Sequence, residues 1–291
     1  MEKNALLILN PISGGIDKTE IRNAVESFAK TNAISLHIFE TTGEADEKKI
    51  AGLFKKLSSD RVIVVGGDGT VKMAADALEG EDVIIGLMPA GSANGLSVDL
   101  GFPTAIEEQL AVAFGDHLMD IDMICINGLK SLHLSDIGLN AELIKNYENS
   151  AIRGKLGYAL QAVTTLTSFE APFHAKIKAN GKTTQTESKM IVIANSQKYG
   201  TGVTINPMGK MDDGKFEIVV LKNLDLLVFG KIVSGNMPLE SGDIEIISTD
   251  KATIETDIPV YFQVDGEYCG EETKLEVRIL KHEMKLAVPR L

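Results

Sequence analysis

The chain has 291 residues, with 29 Lys and Arg against 41 Asp and Glu, a formal net charge of -12, and 44% hydrophobic residues. That balance, with no basic stretch to displace counterions, argues against a nucleic-acid partner and against adhesion to anionic membranes by charge alone. Any membrane contact should be local and apolar, or be made to the substrate alone, and the length suits two domains with separate cores.

Leu6–Leu9 reads as a strand that ends in the turn-rich loop Asn10-Pro11-Ile12-Ser13-Gly14-Gly15. Lys18–Lys30 follows with helical spacing of Ile21, Ala24, Val25 and Phe28. Ser35–Phe39 is a second strand, Glu44–Leu57 a second helix, Val62–Val65 a third strand, Thr70–Leu78 its helix and Val83–Leu87 a fourth strand. Repeated β-α units imply a mostly parallel sheet covered on both faces, with ligands at the carboxyl ends of its strands. Three glycine-bearing loops follow such strands, Asn10–Gly15, Gly66–Thr70 and Pro89–Gly95, and should converge on one rim.

The most informative of these is Gly66-Gly67-Asp68-Gly69-Thr70, set between a buried strand and a helix start. Glycines let backbone approach an anion, and free N–H groups with the helix dipole then hold it. Asp68 in that turn repels phosphate unless a divalent cation intervenes or the carboxylate handles a proton. Nucleotide chemistry is therefore the leading expectation from the residues themselves.

Beyond Asp120–Asn127 the pattern changes to short strands without helical crossovers. Lys176–Ala179 and Lys182–Thr186 flank an Asn180-Gly181 turn, the signature of a hairpin. Met190–Ala194, Phe216–Leu221, Ile244–Ile247, Ala252–Glu255, Val260–Val264, Leu275–Leu280 and Lys285–Val288 are further strands, interrupted by helical segments Gly154–Leu166 and Leu224–Ser234. The expected division is residues 1–122, an α/β nucleotide-binding domain, and 123–291, an antiparallel β-sandwich. Cys125 and Cys269 form no disulfide or zinc pattern. The first residues enter a strand pattern without a leader-like segment, and no apolar run approaches a membrane span, so a cytoplasmic protein is expected.

Position-ordered companions of the glycine loop extend along nearly the whole chain: Asn10-Pro11 with Ser13-Gly14, Thr41 before Asp46, Pro89-Ala90-Gly91-Ser92-Ala93-Asn94, Asp120-Ile121-Asp122, Asn206-Pro207 with Asp212-Asp213-Gly214, and Val264-Asp265-Gly266-Glu267. In these the chain resembles the diacylglycerol-kinase catalytic-domain family of soluble lipid kinases, which includes sphingosine and ceramide kinases. The resemblance implies an NAD-kinase-like α/β domain and a β-sandwich, with a nucleotide cleft between them. It also implies transfer of the γ-phosphoryl group of ATP, with Mg²⁺, to a lipid hydroxyl in phospholipid metabolism. Diacylglycerol is the leading acceptor and a sphingoid base the second. The lipid would be met in transient membrane contact, and the sequence leaves monomer and homodimer open.

By the same resemblance Asp68 corresponds to the essential carboxylate, Glu267 to the general base and Asp120 to an acidic partner of the network. Asn10, Thr41, Gly66, Gly67, Gly69, Thr70, Gly91, Ser92 and Asn94 fall at nucleotide-binding positions. Asp213, with the carbonyls of Lys210 and Lys215, corresponds to a magnesium site. Two departures stand out: Gly95 replaces the Asp usual at the third loop, and Gly209-Lys210-Met211 replaces a small apolar run. Simpler uses compete for several residues. Asp213 and Asp265 suit plain turns, Asn94 can lock its own loop, and one of Asp120 and Asp122 belongs on a solvated strand edge. Two other functions compete as well. An NAD kinase shares the Gly-Gly-Asp-Gly-Thr element, but Asn140-Ala141-Glu142 lacks the adjacent Asn-Glu pair that grips a ribose. A nucleotide-binding regulatory protein without turnover has only Gly95 and the altered cation loop in its favour.

Overall fold

The structure is a computed structural model that describes residues 3–139, 141, 172–199, 203–223 and 242–290. The expected helices Gly154–Leu166 and Leu224–Ser234 lie outside the described residues. The chain divides into two compact units, Met1–Asp122 with Gly200–Gly202 and Lys281–Leu291, and Met123–Tyr199 with Val203–Leu280.

In the first unit, strands and helices alternate: β1 (Lys3–Leu9), α1 (Thr19–Thr31), β2 (Ile34–Glu40), α2 (Asp46–Leu57), β3 (Arg61–Gly66), α3 (Asp68–Ala77), β4 (Ile84–Pro89), α4 (Gly95–Asp99), α5 (Ile106–Ala113) and the start of β5 (Leu118–Ile126). The sheet order is β2-β1-β3-β4 with every neighbouring pair parallel. Both faces of the central strands are buried, as parallel sheets require. Leu7, Leu9, Ile63, Val65, Met88 and Ala90 pack with Ile21 and Val25 of α1 and Leu110 and Ala113 of α5. The residues of opposite parity, Leu6, Ile8, Val62, Val64 and Leu87, are also buried, on the face where α2 and α3 lie against β1, β3 and each other. Because β1 lies between β2 and β3, the chain direction of winding reverses between β1 and β3. The carboxyl ends of those two strands form the rim where open α/β sheets bind ligands.

Two outcomes depart from the sequence reading. Helices α4 and α5 were not expected, since five and eight residues give too few turns for a periodic signal. The tail Lys281–Leu291, counted on sequence with the second domain, belongs to the first unit. There Lys285 and Leu286 pair in parallel with Ile84 and Ile85, extending the sheet beyond β4.

The second unit is built from the rest of β5 with β6 (Leu129–Ser131), β7 (Leu134–Gly138), β8 (Phe173–Ala179), β9 (Lys182–Ser188), β10 (Met190–Ala194), β11 (Lys198–Tyr199), β12 (Val203–Thr204), β13 (Phe216–Leu221), β14 (Ile244–Thr249), β15 (Lys251–Val264) and most of β16 (Glu267–Ala287). Its strand pairs are antiparallel. The β8–β9 turn has Asn180 at φ 51° and Gly181 at φ 70°, the left-handed pair that matches strand twist in two-residue hairpins. The two strands expected at Ala252–Glu255 and Val260–Val264 are one strand, β15, interrupted by a register shift. Below the shift Ala252–Thr256 pair with β8; above it Phe262–Val264 pair with β7. A strand that changes partners at a bulge is how one chain serves two packed sheets. Ile137, Ile191, Ile193, Ile218, Phe216 and Phe262 meet in the larger core. Leu134, Met190, Val192, Val219 and Leu221 fill a second core on the other side of the same strands.

Arg61 closes the end of α5: its guanidinium donates to the carbonyls of Ala113 at 2.6 Å and Gly115 at 3.0 Å. A cation at a helix C-terminus satisfies orphan carbonyls and meets the negative end of the dipole. Arg61→Met should lower the unfolding free energy by ~1.5–3 kcal/mol, read as a shift of the urea midpoint at unchanged slope.

Candidate functional site

The three glycine loops do meet at the carboxyl rim of the first sheet, and their contact is backbone against backbone. A Cβ at Gly91 would lie 2.4 Å from the Cα of Gly67, and one at Gly14 would lie 2.8 Å from the carbonyl oxygen of Ala90. Neither position tolerates a side chain without parting the loops. Gly66 is equally committed, because a Cβ there would fall 2.5 Å from the Thr70 hydroxyl. Gly69 is exposed and open on all sides.

Polar contacts tie the loops at the β1/β3 switch. The Asn10 amide donates to Thr70 Oγ1 at 3.0 Å. The Ser13 hydroxyl lies 3.0 Å from the carbonyl of Ala90 and 3.1 Å from that of Asn10. Thr41 joins the same edge through its N–H, which donates to the carbonyl of Leu9 at 2.9 Å. Asn94, at φ 53°, accepts from the Gly91 N–H at 2.7 Å and donates back to the Gly91 carbonyl at 3.1 Å, so it locks its own loop. Ser92 stands exposed beside it.

Asp68 links the second loop to the third. Its carboxylate accepts from the N–H of Gly95 at 2.6 Å and of Leu96 at 3.1 Å, the first two residues of α4. It is itself the first residue of α3. Its charge therefore sits at two helix starts, where unpaired N–H groups and dipoles favour an anion. A cation is not required to explain the carboxylate's presence in the turn. Each of its oxygens still has a lone pair to offer.

Behind Thr41, a buried Asp46 shapes the loop. It accepts from the N–H groups of Thr42 at 2.9 Å and Gly43 at 2.7 Å and from the Thr42 hydroxyl at 2.9 Å, with the Lys49 ammonium 3.6 Å away. Burial pushes its carboxyl upward, but the hydrogen bonds from Gly43 and Thr42 outweigh that and hold it below the ordinary carboxylate value.

Asp120 is not brought to Asp68. It lines an open cavity of about 410 Å³ with Ala75 and Leu78, at the far end of α3, together with Asp82, His282 and Lys285. Ten helical residues at ~1.5 Å rise separate the two ends by roughly 15 Å. Its neighbour is His282, with Nδ1 3.6 Å from Asp120 Oδ2, while the buried Asp122 accepts the His282 N–H at 2.9 Å. Of this pair, Asp120 is the solvated one.

In the second unit Glu267 is exposed at the start of β16. The turn before it has Asp265 at φ 49° and Gly266 at φ 88°, and Val264 pairs with Glu267 across it. Asp265 holds this turn in place. Its carboxylate accepts from the Ser131 hydroxyl at 2.9 Å and from the N–H groups of Leu132 at 2.8 Å and His133 at 2.9 Å. The Gly266 N–H donates to Gln263 at 2.7 Å, and the Gln263 amide donates to the buried Asp136. Sequence reading treated Asp265 as turn-forming; the Asp-Gly pair signals the turn but not the three distant donors.

Asp213 is exposed, and its carboxylate accepts the Lys215 N–H at 3.0 Å, a local turn that stands without a metal. The loop is held from behind, where Asn206 donates to Ser196 O at 3.2 Å and to Glu217 at 2.8 Å, and Gln197 donates to Gly209 O at 3.1 Å. No cluster of three His, Cys, Asp or Glu able to hold a metal occurs among the described residues. The second Asp213 oxygen and backbone carbonyls are the hard donors Mg²⁺ takes, so the donor chemistry fits a weakly held hydrated ion.

Comparison with known proteins matches residues 4–126 to the diacylglycerol kinase catalytic domain and residues 136–288 to the YegS C-terminal NAD kinase beta sandwich-like domain. The chain is 25% identical over 284 residues to "Probable lipid kinase YegS" of Salmonella arizonae, covering 94% of this chain and 93% of that protein. The Salmonella typhimurium protein of the same name is 26% identical over 286 residues, covering 94% and 92%. A crystal structure of a provisionally named diacylglycerol kinase from Bacillus anthracis superposes with a TM-score of 0.79 at 25% identity, covering 99% of this chain and 97% of that one.

Two outcomes are expected. Gly91→Ala should part the second and third loops and cost ~1–3 kcal/mol or more in a thermal or denaturant melt, whereas Gly69→Ala, facing open space, should not. Because the Asp46 carboxyl is depressed in the fold, its stabilisation is present above the ordinary value of 3.8 and lost as pH falls through the folded value. The stability gap between the protein and Asp46→Asn, measured by denaturant melts across pH, should therefore be largest at neutral pH and shrink below 3.8.

Proposed function

The chain belongs to the family in which a diacylglycerol kinase catalytic domain precedes a YegS C-terminal NAD kinase beta sandwich-like domain, and from that membership we propose that it is an ATP-dependent lipid kinase. The reaction moves the γ-phosphoryl group of MgATP to a lipid hydroxyl, diacylglycerol first and a sphingoid base second. One observation carries the nucleotide half: three glycine loops packed backbone to backbone at the β1/β3 switch of a parallel sheet. Phosphoryl transfer demands little covalent chemistry from protein and much positioning of a triphosphate. Backbone held this close to open space, with Asn10, Thr41, Thr70 and Ser92 at its edge, suits that task.

Asp68, fixed by the Gly95 and Leu96 N–H groups, would offer its remaining lone pairs to the magnesium ion of MgATP, directly or through water. Glu267 is the general base for the acceptor hydroxyl, kept in position by the Asp265 turn. Asp213 with the carbonyls of Lys210 and Lys215 would hold a separate Mg²⁺ that stiffens its loop and takes no part in the chemistry. Asp120, on the evidence of its distance from Asp68, is left out of the catalytic set. No helix among the described residues is long and apolar enough to cross a membrane.

The test is transfer from radiolabelled ATP to a panel of emulsified diacylglycerols and sphingoid bases, with NAD included. A labelled lipid is expected. Label in NADP alone would make the protein an NAD kinase, and ATP binding without any product would make it a sensor. Glu267→Gln should lower kcat by ~10²–10⁴ while leaving ATP affinity near that of the parent; an unchanged kcat would remove Glu267 from the mechanism.

A further inference from the structure

We propose that Lys18 is a positioning residue for the triphosphate, acting from behind the first glycine loop; this rests on the nucleotide reading of that loop. Lys18 is 4% exposed, and its ammonium donates to the backbone carbonyls of Ser13 and of Ile16, the latter at 2.7 Å. Both acceptors are neutral. The adjacent Asp17 directs its carboxylate to the Thr19 N–H at 2.9 Å and hydroxyl at 2.7 Å instead. Burying an ammonium against carbonyls alone is unfavourable, and burial accordingly draws the Lys18 amine below its ordinary value, with Asp17 opposing. An apolar side chain would fill the same space without that cost, which points to a task for the charge.

The task follows from peptide geometry. In a planar trans peptide the C=O and N–H point to opposite sides. Holding the Ser13 carbonyl inward on Lys18 turns the Gly14 N–H away from the lysine. Holding the Ile16 carbonyl inward does the same for the Asp17 N–H. Gly14 is pressed against Ala90 and Gly91 at φ 62°, so its peptide cannot swing independently of the third loop. The loop thus presents backbone donors on one side and hides its carbonyls on the other. A positive charge directly behind them strengthens the attraction for phosphate.

The decisive comparison is calorimetric titration of the full-length protein, Lys18→Met and Arg61→Met with a non-hydrolysable MgATP analogue and with inorganic tripolyphosphate. Lys18→Met should raise the Kd for both probes at least about tenfold and raise the KM for ATP more than it lowers kcat. Arg61→Met, destabilised at a site remote from the loops, serves as the control and should bind as the parent does. In the parent labelled with ¹⁵N-glycine, the Gly14 amide should shift on adding tripolyphosphate, a readout that does not depend on any variant folding. An unchanged Kd in Lys18→Met, or a silent Gly14 amide in a parent that binds the probes, would overturn the role of Lys18 alone. A parent that binds neither probe would overturn the nucleotide reading together with it.

Discussion

The first unit depends on two backbones lying in contact where any side chain would keep them apart. Gly67 and Gly91 lie in the loops that follow β3 and β4, and their Cα atoms approach so closely that a Cβ on the second would overlap the first. Glycine is needed there for closeness; neither residue takes a left-handed φ. The remaining rim contacts follow from that approach. Asn94 can reach both the N–H and the carbonyl of Gly91 because the loop is already folded against its neighbour. Ser13 can reach Ala90, and Asp68 can reach α4, for the same reason.

Asp68 shows how a carboxylate can be accommodated in a glycine-rich turn. In sequence it stands among glycines as an unfavourable charge. In the fold it takes two N–H groups at the start of one helix while beginning another. The local positive potential of two helix starts offsets its charge. Lys18 is the complementary case: a buried cation whose partners are the backbone carbonyls of Ser13 and Ile16. A protein carrying a formal charge of -12 can thus still have a locally favourable backbone environment for a negative group, as it does for the Asp68 carboxylate. The field at a few ångströms is set by oriented peptides, because the contribution of distant surface charge is itself screened by salt.

In the second unit, carboxylates near turns differ in how far away their partners lie. Asp265 spends its oxygens on Ser131, Leu132 and His133, residues more than 130 positions earlier in the chain, and so anchors the hairpin that carries Glu267. Asp213 makes one bond within its own turn and leaves an oxygen to solvent. Both read as Asp-Gly turns. Their partners, and hence their uses, differ because one turn lies beside another strand's start and the other projects outward.

Sequence alone was enough for the alternation of strands and helices in the first half, the positions of most strand segments in the second, and the convergence of the glycine loops. Those signals are local. Burial on both faces writes Val and Ile runs into β3, amphipathic spacing writes α1, and Asn180-Gly181 writes its own turn through backbone sterics. The neighbours of those elements were decided by the tertiary structure. The final strand returns to β4 of the first unit, Ala252–Val264 is one strand shared between partners, and Asp120 stands at the opposite end of α3 from Asp68. Lys18 read only as the first residue of a helix, and Asp265 as a plain turn, because a side chain's hydrogen-bond partners lie wherever the chain folds back. Spacing along the sequence carries no record of that distance.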